Sequence, residues 1–170
     1  MLIFLIGFMG SGKSTLGKQL AKKLNYQLID QDSYIEKKTG ISVGNYFSSN
    51  GEEAFRKLEH ESLIELSKLE NAVISTGGGA PCFYNNIEIM NNSGISIYLK
   101  LKPEILFSRL KYAQNERPLI KGKTEEELFG FIKTKLSERE SFYLKAKHVI
   151  ESMDLKSEDL FQLVKYHGLN

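Results

Sequence analysis

The chain has 170 residues and a mass of 19.3 kDa, a length typical of one domain, which we expect to span residues 1–170. Its 23 basic and 21 acidic residues give a net charge of +2, which excludes binding to nucleic acid or membranes through overall charge. A single cysteine cannot form an internal disulfide, and no apolar run is long enough to span a membrane, so the composition favours a soluble cytoplasmic protein.

Strand and helix patterns alternate from the N-terminus. An apolar run predicts a first strand over Leu2–Ile6, and leucines at helical spacing predict a helix over Lys13–Leu24. Gln27–Ile29 is a short second strand, after which either Asp32 or Ser33 is expected to cap a helix.

The middle of the chain continues this alternation. Asn50 with Glu53 predicts the start of a longer helix. Its buried stripe is expected to consist of Phe55, Leu58, Ser62, Leu66 and Leu69. Ala72–Ser75 and Ile95–Leu101 are the third and fourth strands, and Pro103 suits the first turn of the helix that follows.

The last third begins with a polar stretch, Ala113–Lys123, that has no periodicity and is predicted to be a mobile loop. Thr124 and Glu127 form the capping box of a helix, His148–Glu151 is a weak fifth strand, and Ser157 opens a final helix. Strands that alternate with helices predict a parallel sheet covered on both faces, which is a three-layer α/β sandwich.

The strongest motif is the run GFMGSGKS over Gly7–Ser14, which fits the pattern G-x-x-x-x-G-K-[ST] between a predicted strand and a predicted helix. Such a loop curls its backbone N–H groups around phosphates at a helix N-terminus. Lys13 would supply a charge to the outer phosphates, and the Ser14 hydroxyl would be a ligand for Mg²⁺. The expected nucleotide-binding residues of the loop are Gly10, Ser11, Gly12, Lys13, Ser14 and Thr15.

Arginine is rare in a chain that uses lysine as its usual surface cation. The four arginines are Arg56, Arg109, Arg117 and Arg139. A guanidinium grips carboxylate or phosphate through two parallel hydrogen bonds, which suggests special roles. Arg56 is predicted beside a buried helix stripe, and Arg117 lies in the polar loop, where it could close over transferring phosphates. Arg139 could instead pair with Glu138 or Glu140.

Two aspartates and three glycines follow predicted strands. Asp30 and Asp32 lie at the carboxyl end of the second strand, where ligands bind in open α/β sheets. One carboxylate could hold Mg²⁺ and the other could orient an acceptor hydroxyl, unless Asp32 serves only as a helix cap. Gly77, Gly78 and Gly79 would allow a ligand to approach the backbone closely, although such a triplet is also typical of a plain turn.

Together these segments resemble the shikimate kinase family over nearly the whole chain. The matching runs are GFMGSGKST (Gly7–Thr15), LIDQD (Leu28–Asp32), GEEAFRKLE (Gly51–Glu59), STGGG (Ser75–Gly79), RPL (Arg117–Leu119) and Arg139 before Tyr143. The resemblance implies a P-loop, nucleoside-monophosphate-kinase-like fold with five parallel strands in the order 2-3-1-4-5. It also implies a mobile lid at about residues 113–123.

The activity implied by the resemblance is transfer of the γ-phosphoryl group of ATP to the 3-hydroxyl of shikimate. This step belongs to chorismate and aromatic amino-acid biosynthesis, and the family acts in the cytoplasm, generally as a monomer. In the acceptor site, the resemblance assigns the hydroxyls of shikimate to Asp32, which could also act as the base. It assigns the carboxylate to Arg56 and Arg139, with help from the glycine triplet around Gly78.

On the nucleotide side, the resemblance assigns Mg²⁺ to Ser14 and Asp30. Arg117 would reach from the lid to the phosphates as a catalytic residue beside Lys13, and Arg109 would lie against the adenine.

Two other functions remain open at this point. One is a gluconate-type sugar-acid kinase, which matches GFMGSGK and STGGG less well. The other is a P-loop module that binds or switches on nucleotide without catalysis. Asp32, Arg56 and Arg139 argue against such a module, because it would not need an acceptor pocket. The expected partners are therefore ATP and shikimate, with neither nucleic acid nor membrane involved.

Overall fold

A computed structural model describes residues 1–112, 119–151 and 153–168 of the chain. The strands are β1 (Leu2–Ile6), β2 (Gln27–Asp30), β3 (Ala72–Ser75), β4 (Ile95–Lys100) and β5 (His148–Glu151). The α-helices are α1 (Lys13–Leu24), α2 (Gln31–Thr39), α3 (Val43–Leu66), α4 (Asn86–Ser93), α5 (Pro103–Leu110), α6 (Glu125–Tyr143) and α7 (Ser157–Gly168), with a short 3₁₀ turn at Ala80–Cys82.

The five described strands form one parallel sheet in the order β2-β3-β1-β4-β5, which confirms the predicted topology. β1 lies at the centre, paired with β3 on one side and β4 on the other. All five of its residues are buried, which explains why LIFLI is an unbroken apolar run and does not alternate.

Alternate residues of β1 enter two separate cores on opposite faces of the sheet. Phe4 and Ile6 pack with apolar residues of α3, α4, α5 and α6. Ile3 and Leu5 pack with residues of α1 and α7. The three predicted layers are thereby confirmed, and the carboxyl ends of the strands meet at one edge, where the phosphate loop begins.

The start of α3 differs from the prediction. The helix begins at Val43, capped by Ser42, whose hydroxyl accepts a hydrogen bond from Asn45 N at 3.2 Å. Gly51, with φ 81° and ψ 172°, interrupts it with a kink. The helical stretch before Gly51 was not predicted, whereas the expected start at Asn50 coincides with the kink from which the longer stretch continues to Leu66.

The cap of α2 also differs. Asp30 is the N-cap, since its Oδ1 accepts a hydrogen bond from Ser33 N at 3.2 Å. Asp32 lies inside the first turn, so the expectation that Asp32 or Ser33 caps this helix was wrong. Asp32 is left available for other contacts.

Other local expectations had mixed outcomes. Helix α4 was not predicted. In the expected stripe of α3, Leu58 is only partly buried and Leu69 is exposed beyond the end of the helix, while Leu63 belongs to the buried face. The capping box of α6 is confirmed, because the Thr124 hydroxyl and the Glu127 carboxylate each accept a hydrogen bond from the other residue's N–H. No helix within the described ranges is long and apolar enough to cross a membrane.

Candidate active site

The phosphate loop, residues 7–14, connects β1 to α1. Gly12 precedes the helix in a left-handed conformation, with φ 96°, and no side chain caps the first turn. The first N–H groups of α1 are therefore available to an anion. Lys13 curls back over the loop and donates hydrogen bonds to Gly7 O at 2.8 Å and Phe8 O at 3.0 Å. Its ammonium group is thus held beside the space that phosphates would occupy.

A cluster of oxygen atoms lies at the start of α1. Ser14 Oγ donates to Asp30 Oδ2 at 3.2 Å and lies 3.4 Å from Ser75 Oγ. Two hydroxyls and a carboxylate form the hard-oxygen donor set that Mg²⁺ prefers. The described residues include no group of three or more His, Cys, Asp or Glu side chains that could hold a metal ion. A cation here would therefore take most of its ligands from phosphates and water.

The loop opens into a cavity of about 370 Å³. Its walls include Lys13 and Ser14 of the loop, Asp30 and Asp32 around the start of α2, and Gly78 beyond β3. Both aspartates therefore face the same space as the phosphate loop, although only Asp30 belongs to β2 and Asp32 lies in the first turn of α2. A group that binds to Asp32 would lie beside a group that binds to Lys13.

A second cavity, of about 570 Å³, adjoins the other side of the loop. Leu99, Ile150 and residues of the segment 153–157 line it. Arg109 lines both cavities, and it donates to Gly10 O at 3.2 Å and to Met153 O at 3.5 Å. This mixture of apolar walls and one arginine suits a flat heterocycle attached to the phosphates.

Helix α3 contributes a buried ion pair between Arg56 and Glu59. Arg56 is only 9% exposed, and its Nη1 donates to Glu59 Oε2 at 2.8 Å. Its Nε and Nη2 both donate to Glu52 Oε1, over longer distances of 3.4 and 3.3 Å. The guanidinium also lies over the ring of Phe83, with 4.3 Å between Cζ and the ring centroid. Arg56 is therefore held rigidly by Glu59 and by packing, while Glu52 contributes a weaker contact.

The environment raises the pKa of two acids at the site. Burial raises the pKa of Glu59 to about 7, although the charge of Arg56 opposes the shift. Burial, followed by the charge of Asp30, raises the pKa of Asp32, and Lys13 opposes this. A carboxylate with a raised pKa is a better proton acceptor, which is what a general base requires.

The glycine triplet is explained by close approach. A Cβ atom on Gly77 would lie 2.5 Å from Glu59 Oε1 and 3.1 Å from Asp32 Oδ1, and one on Gly79 would lie 2.5 Å from Arg56 Nη1. None of the three glycines has a positive φ. Gly77 and Gly79 are therefore needed to leave space for the charged side chains and not to allow an unusual backbone conformation.

Arg139 reaches the same region from α6. Its Nη1 lies 3.5 Å from the position that a Cβ of Gly78 would take, and the hydroxyl of Tyr143, one turn later, donates to Gly78 O. Glu138 pairs with Lys135 at 2.7 Å, and Glu140 lies 3.6 Å from Lys100. Within the described residues, neither neighbouring glutamate is an ion-pair partner of Arg139, so that alternative was wrong.

Comparison with known proteins identifies the family. The profile of the shikimate kinase family matches residues 9–166. A curated shikimate kinase from Bacteroides thetaiotaomicron is 47% identical over 161 residues, which cover 95% of this chain and 91% of that protein. The chain belongs to the shikimate kinase family. Membership makes it an ATP-dependent enzyme, a small-molecule kinase.

Solved shikimate kinases have the same fold. A crystal structure of the shikimate kinase from B. thetaiotaomicron superposes with a TM-score of 0.91 at 44% identity, covering 98% of this chain and 97% of that one. The shikimate kinase from Acinetobacter baumannii in complex with shikimate gives a TM-score of 0.85 at 33% identity, covering 99% and 95% of the two chains.

Most of the residues predicted for a shikimate kinase site come together. The phosphate loop, Asp30, Asp32 and Gly78 line one cavity, Arg109 spans both cavities, and Arg56 and Arg139 adjoin the glycine triplet. Arg117 lies outside the described residues, as does the part of the predicted lid at residues 113–118. Of the rest of that segment, Leu119 is exposed and Ile120 is buried.

Sequence reasoning missed four residues of the site. These are Gln31, Glu52, Glu59 and Ser75. Glutamates at three residues after Arg56 and four residues before it lie on the same helix face as the arginine, so spacing alone could have indicated both pairs. Gln31 and Ser75 carry no comparable signal, because their roles depend on contacts between distant segments.

Proposed function

We propose that the chain transfers the γ-phosphoryl group of ATP to the 3-hydroxyl of shikimate, giving shikimate 3-phosphate and ADP for chorismate and aromatic amino-acid biosynthesis. The observation that carries the proposal is that Lys13 and Asp32 line one cavity of about 370 Å³. A phosphoryl donor and a hydroxyl acceptor could therefore meet there. Family membership and the A. baumannii enzyme's complex with shikimate support the choice of acceptor.

For the nucleotide, the proposal assigns the phosphates to the loop N–H groups of residues 10–15 and to the Lys13 ammonium. The larger cavity would take the adenine against Arg109. Arg117 would close over the phosphates from a lid at about residues 113–123. In this arrangement Lys13 stabilises the negative charge that develops during transfer.

The same proposal includes Mg²⁺, held by Ser14 Oγ and the Asp30 carboxylate. When bound, the cation neutralises charge between the β- and γ-phosphates. The oxygen donor set beside the phosphate loop supports this assignment. Ser75 Oγ, 3.4 Å from Ser14 Oγ, is close enough to orient the serine hydroxyl.

For the acceptor, Asp32 would bind the hydroxyls of shikimate and accept the proton of the 3-hydroxyl. The oxygen of that hydroxyl then forms the bond to the γ-phosphorus, the bond from phosphorus to the β,γ-bridging oxygen breaks, and ADP leaves with the electron pair. Arg56 and Arg139 would hold the carboxylate with help from Gly78, whose Cβ position lies 3.5 Å from Arg139 Nη1. The raised pKa of Asp32 suits a base that must take up a proton.

The proposal extends to the setting of the reaction. We infer one kinase domain over residues 1–170 that acts as a monomer in the cytoplasm, with ATP and shikimate as partners. The near-balanced charge and the single cysteine are consistent with this setting. Light scattering on the purified chain would measure the oligomeric state.

A coupled assay of ADP release tests the proposed function against its alternatives. ADP should form with ATP, Mg²⁺ and shikimate, and it should form at a far lower rate when gluconate replaces shikimate or when no acceptor is present. Turnover with gluconate alone would indicate a sugar-acid kinase, and no acceptor-dependent turnover would indicate a nucleotide-binding module. Excess chelator should abolish the shikimate-dependent rate, and full activity in its presence would rule out Mg²⁺.

A further inference from the structure

Gln31 lies between the two aspartates of the site and is fully buried. Its side-chain Oε1 accepts a hydrogen bond from Gly77 N at 3.2 Å. Its Nε2 donates to Glu59 O at 3.0 Å and to Ser62 Oγ at 3.1 Å. One amide group therefore connects the start of α2, the glycine triplet and α3.

These three segments carry the residues of the proposed acceptor site. Asp32 follows Gln31 directly in α2, Arg56 and Glu59 belong to α3, and Gly77 opens the triplet. The backbone of Gly77 fits between the carboxyl groups of Glu59 and Asp32, because a Cβ there would lie 2.5 and 3.1 Å from their oxygens. Gln31 holds both sides of this narrow contact, through Gly77 N and Glu59 O.

An apolar side chain of the same size would fill the space of Gln31 without making these bonds. The buried N–H of Gly77 would then lose the acceptor that Gln31 provides, which is unfavourable away from water. The turn could relieve this cost by moving toward water. Such a movement would change the distances from the triplet to Asp32, Glu59 and Arg56. The phosphate loop touches Gly78 but is anchored by β1 and α1 and not by Gln31, so we expect it to move less.

We propose that Gln31 is a positioning residue for the acceptor site. It fixes the glycine triplet against Glu59 and Asp32, and so sets the spacing at which Asp32 and Arg56 meet the acceptor. It contacts neither reacting group itself. The inference rests on the proposed function, because it assumes that this pocket binds the phosphoryl acceptor.

The test compares Gln31→Met, which keeps the length of the side chain without its polar atoms, with the parent. We expect the KM for shikimate to rise roughly tenfold, the cost of about one buried hydrogen bond, while the KM for ATP changes by less than about twofold. Amide exchange measured by NMR should speed up at Gly77 and stay slow in β1. The shorter amide of Gln31→Asn cannot span Gly77 and Glu59 together, so it gives the same comparison if the Met variant does not fold.

A control separates positioning from general loss of stability. Ser96 is also fully buried, and its hydroxyl accepts a hydrogen bond from Lys147 N at 2.8 Å, at the β4 side of the sheet. Ser96→Ala should lower the melting temperature without changing either KM. The inference would be overturned if the Gln31 variants raised the KM for ATP as much as the KM for shikimate. It would also be overturned if amide exchange at Gly77 became faster while the KM for shikimate stayed unchanged. Absence of shikimate phosphorylation by the parent would instead refute the proposed function.

Discussion

Replacing Arg56 with lysine tests whether the buried guanidinium holds the acceptor carboxylate. Arg56 is 9% exposed, and its Nη1 is already engaged by Glu59 at 2.8 Å. The Nε and Nη2 edge faces Glu52, whose side chain is 57% exposed and whose contacts are 3.3 Å or longer. Because Glu52 is largely exposed and its contacts are long, an acceptor carboxylate can displace it from that edge and keep the guanidinium paired.

The size of the effect follows from this geometry. A guanidinium can bond Glu59 with one nitrogen and present two parallel donors to the acceptor from the others, whereas a lysine ammonium bonded to Glu59 cannot offer that paired geometry. The substitution keeps the charge but removes at least one charge-assisted hydrogen bond, worth about 1.5–3 kcal/mol. Shikimate should therefore bind about 10- to 100-fold more weakly to Arg56→Lys, with ATP binding nearly unchanged.

Isothermal titration calorimetry with shikimate and, separately, with ATP provides the measurement. Lys57→Arg is the matched control, since Lys57 is the exposed neighbour on the same helix and should tolerate the reverse exchange. Arg139→Lys should weaken shikimate binding in the same way. If Arg56→Lys binds shikimate as tightly as the parent, the carboxylate is held elsewhere and the reasoning about the guanidinium edge is refuted.

Three further predictions follow from the site. Lys13→Ala should abolish phosphoryl transfer while circular dichroism and melting temperature stay close to the parent's, and a normal turnover number would contradict this. Gly79→Ala should weaken shikimate binding in calorimetry, because the new methyl group meets the guanidinium of Arg56 at 2.5 Å, whereas Gly130→Ala, on an open face of α6, should not. Burial raises the pKa of Glu59 from 4.5 to about 7. Between pH 4.5 and about 7 the folded state binds a proton that the unfolded state has released, so the free energy of unfolding falls as the pH rises through this range. The free energy of unfolding, measured in urea at pH 5 and pH 8, should fall less between the two pH values for Glu59→Gln than for the parent. An equal fall in both proteins would exclude the raised pKa.

Features that depend on local sequence were predictable. The phosphate loop is a contiguous motif, so Lys13 and Ser14 could be assigned before any fold was known. The uninterrupted LIFLI run identified β1, and the Thr124 and Glu127 pair identified the start of α6. In each case the residues that determine the structure lie within a few positions of one another.

Features with weak or misleading local signals were not predictable. Helix α4, with the sequence NIEIMNNS, has no side-chain cap at its N-terminus and ends in polar residues, so nothing marks it as a helix. The helical stretch of α3 ahead of the Gly51 kink was not predicted, because Asn50 with Glu53 was the helix-start signal that the sequence analysis used. Asp30 and Asp32 both resemble caps in sequence, and only the fold determines that Asp30 takes that role.

The residues of the proposed acceptor site could be named from the sequence, but the contacts that arrange them could not. Arg56 and Arg139 could be singled out because arginine is rare in this chain. That Gly79 leaves space for Arg56, and that Gln31 connects Gly77 to Glu59, depends on contacts between segments about 20 to 50 residues apart. Such contacts leave no periodic trace in a single sequence.

The central claim is transfer of the γ-phosphoryl group to the 3-hydroxyl of shikimate, and NMR of the reaction product tests it most directly. The purified chain would be incubated with equimolar ATP and shikimate in the presence of Mg²⁺, and phosphorus–proton correlation spectra would be recorded at completion. The account predicts one new phosphate ester, coupled to the proton on carbon 3 of shikimate, in an amount equal to the ADP formed. Inorganic phosphate with unmodified shikimate, or an ester at another hydroxyl, would contradict it.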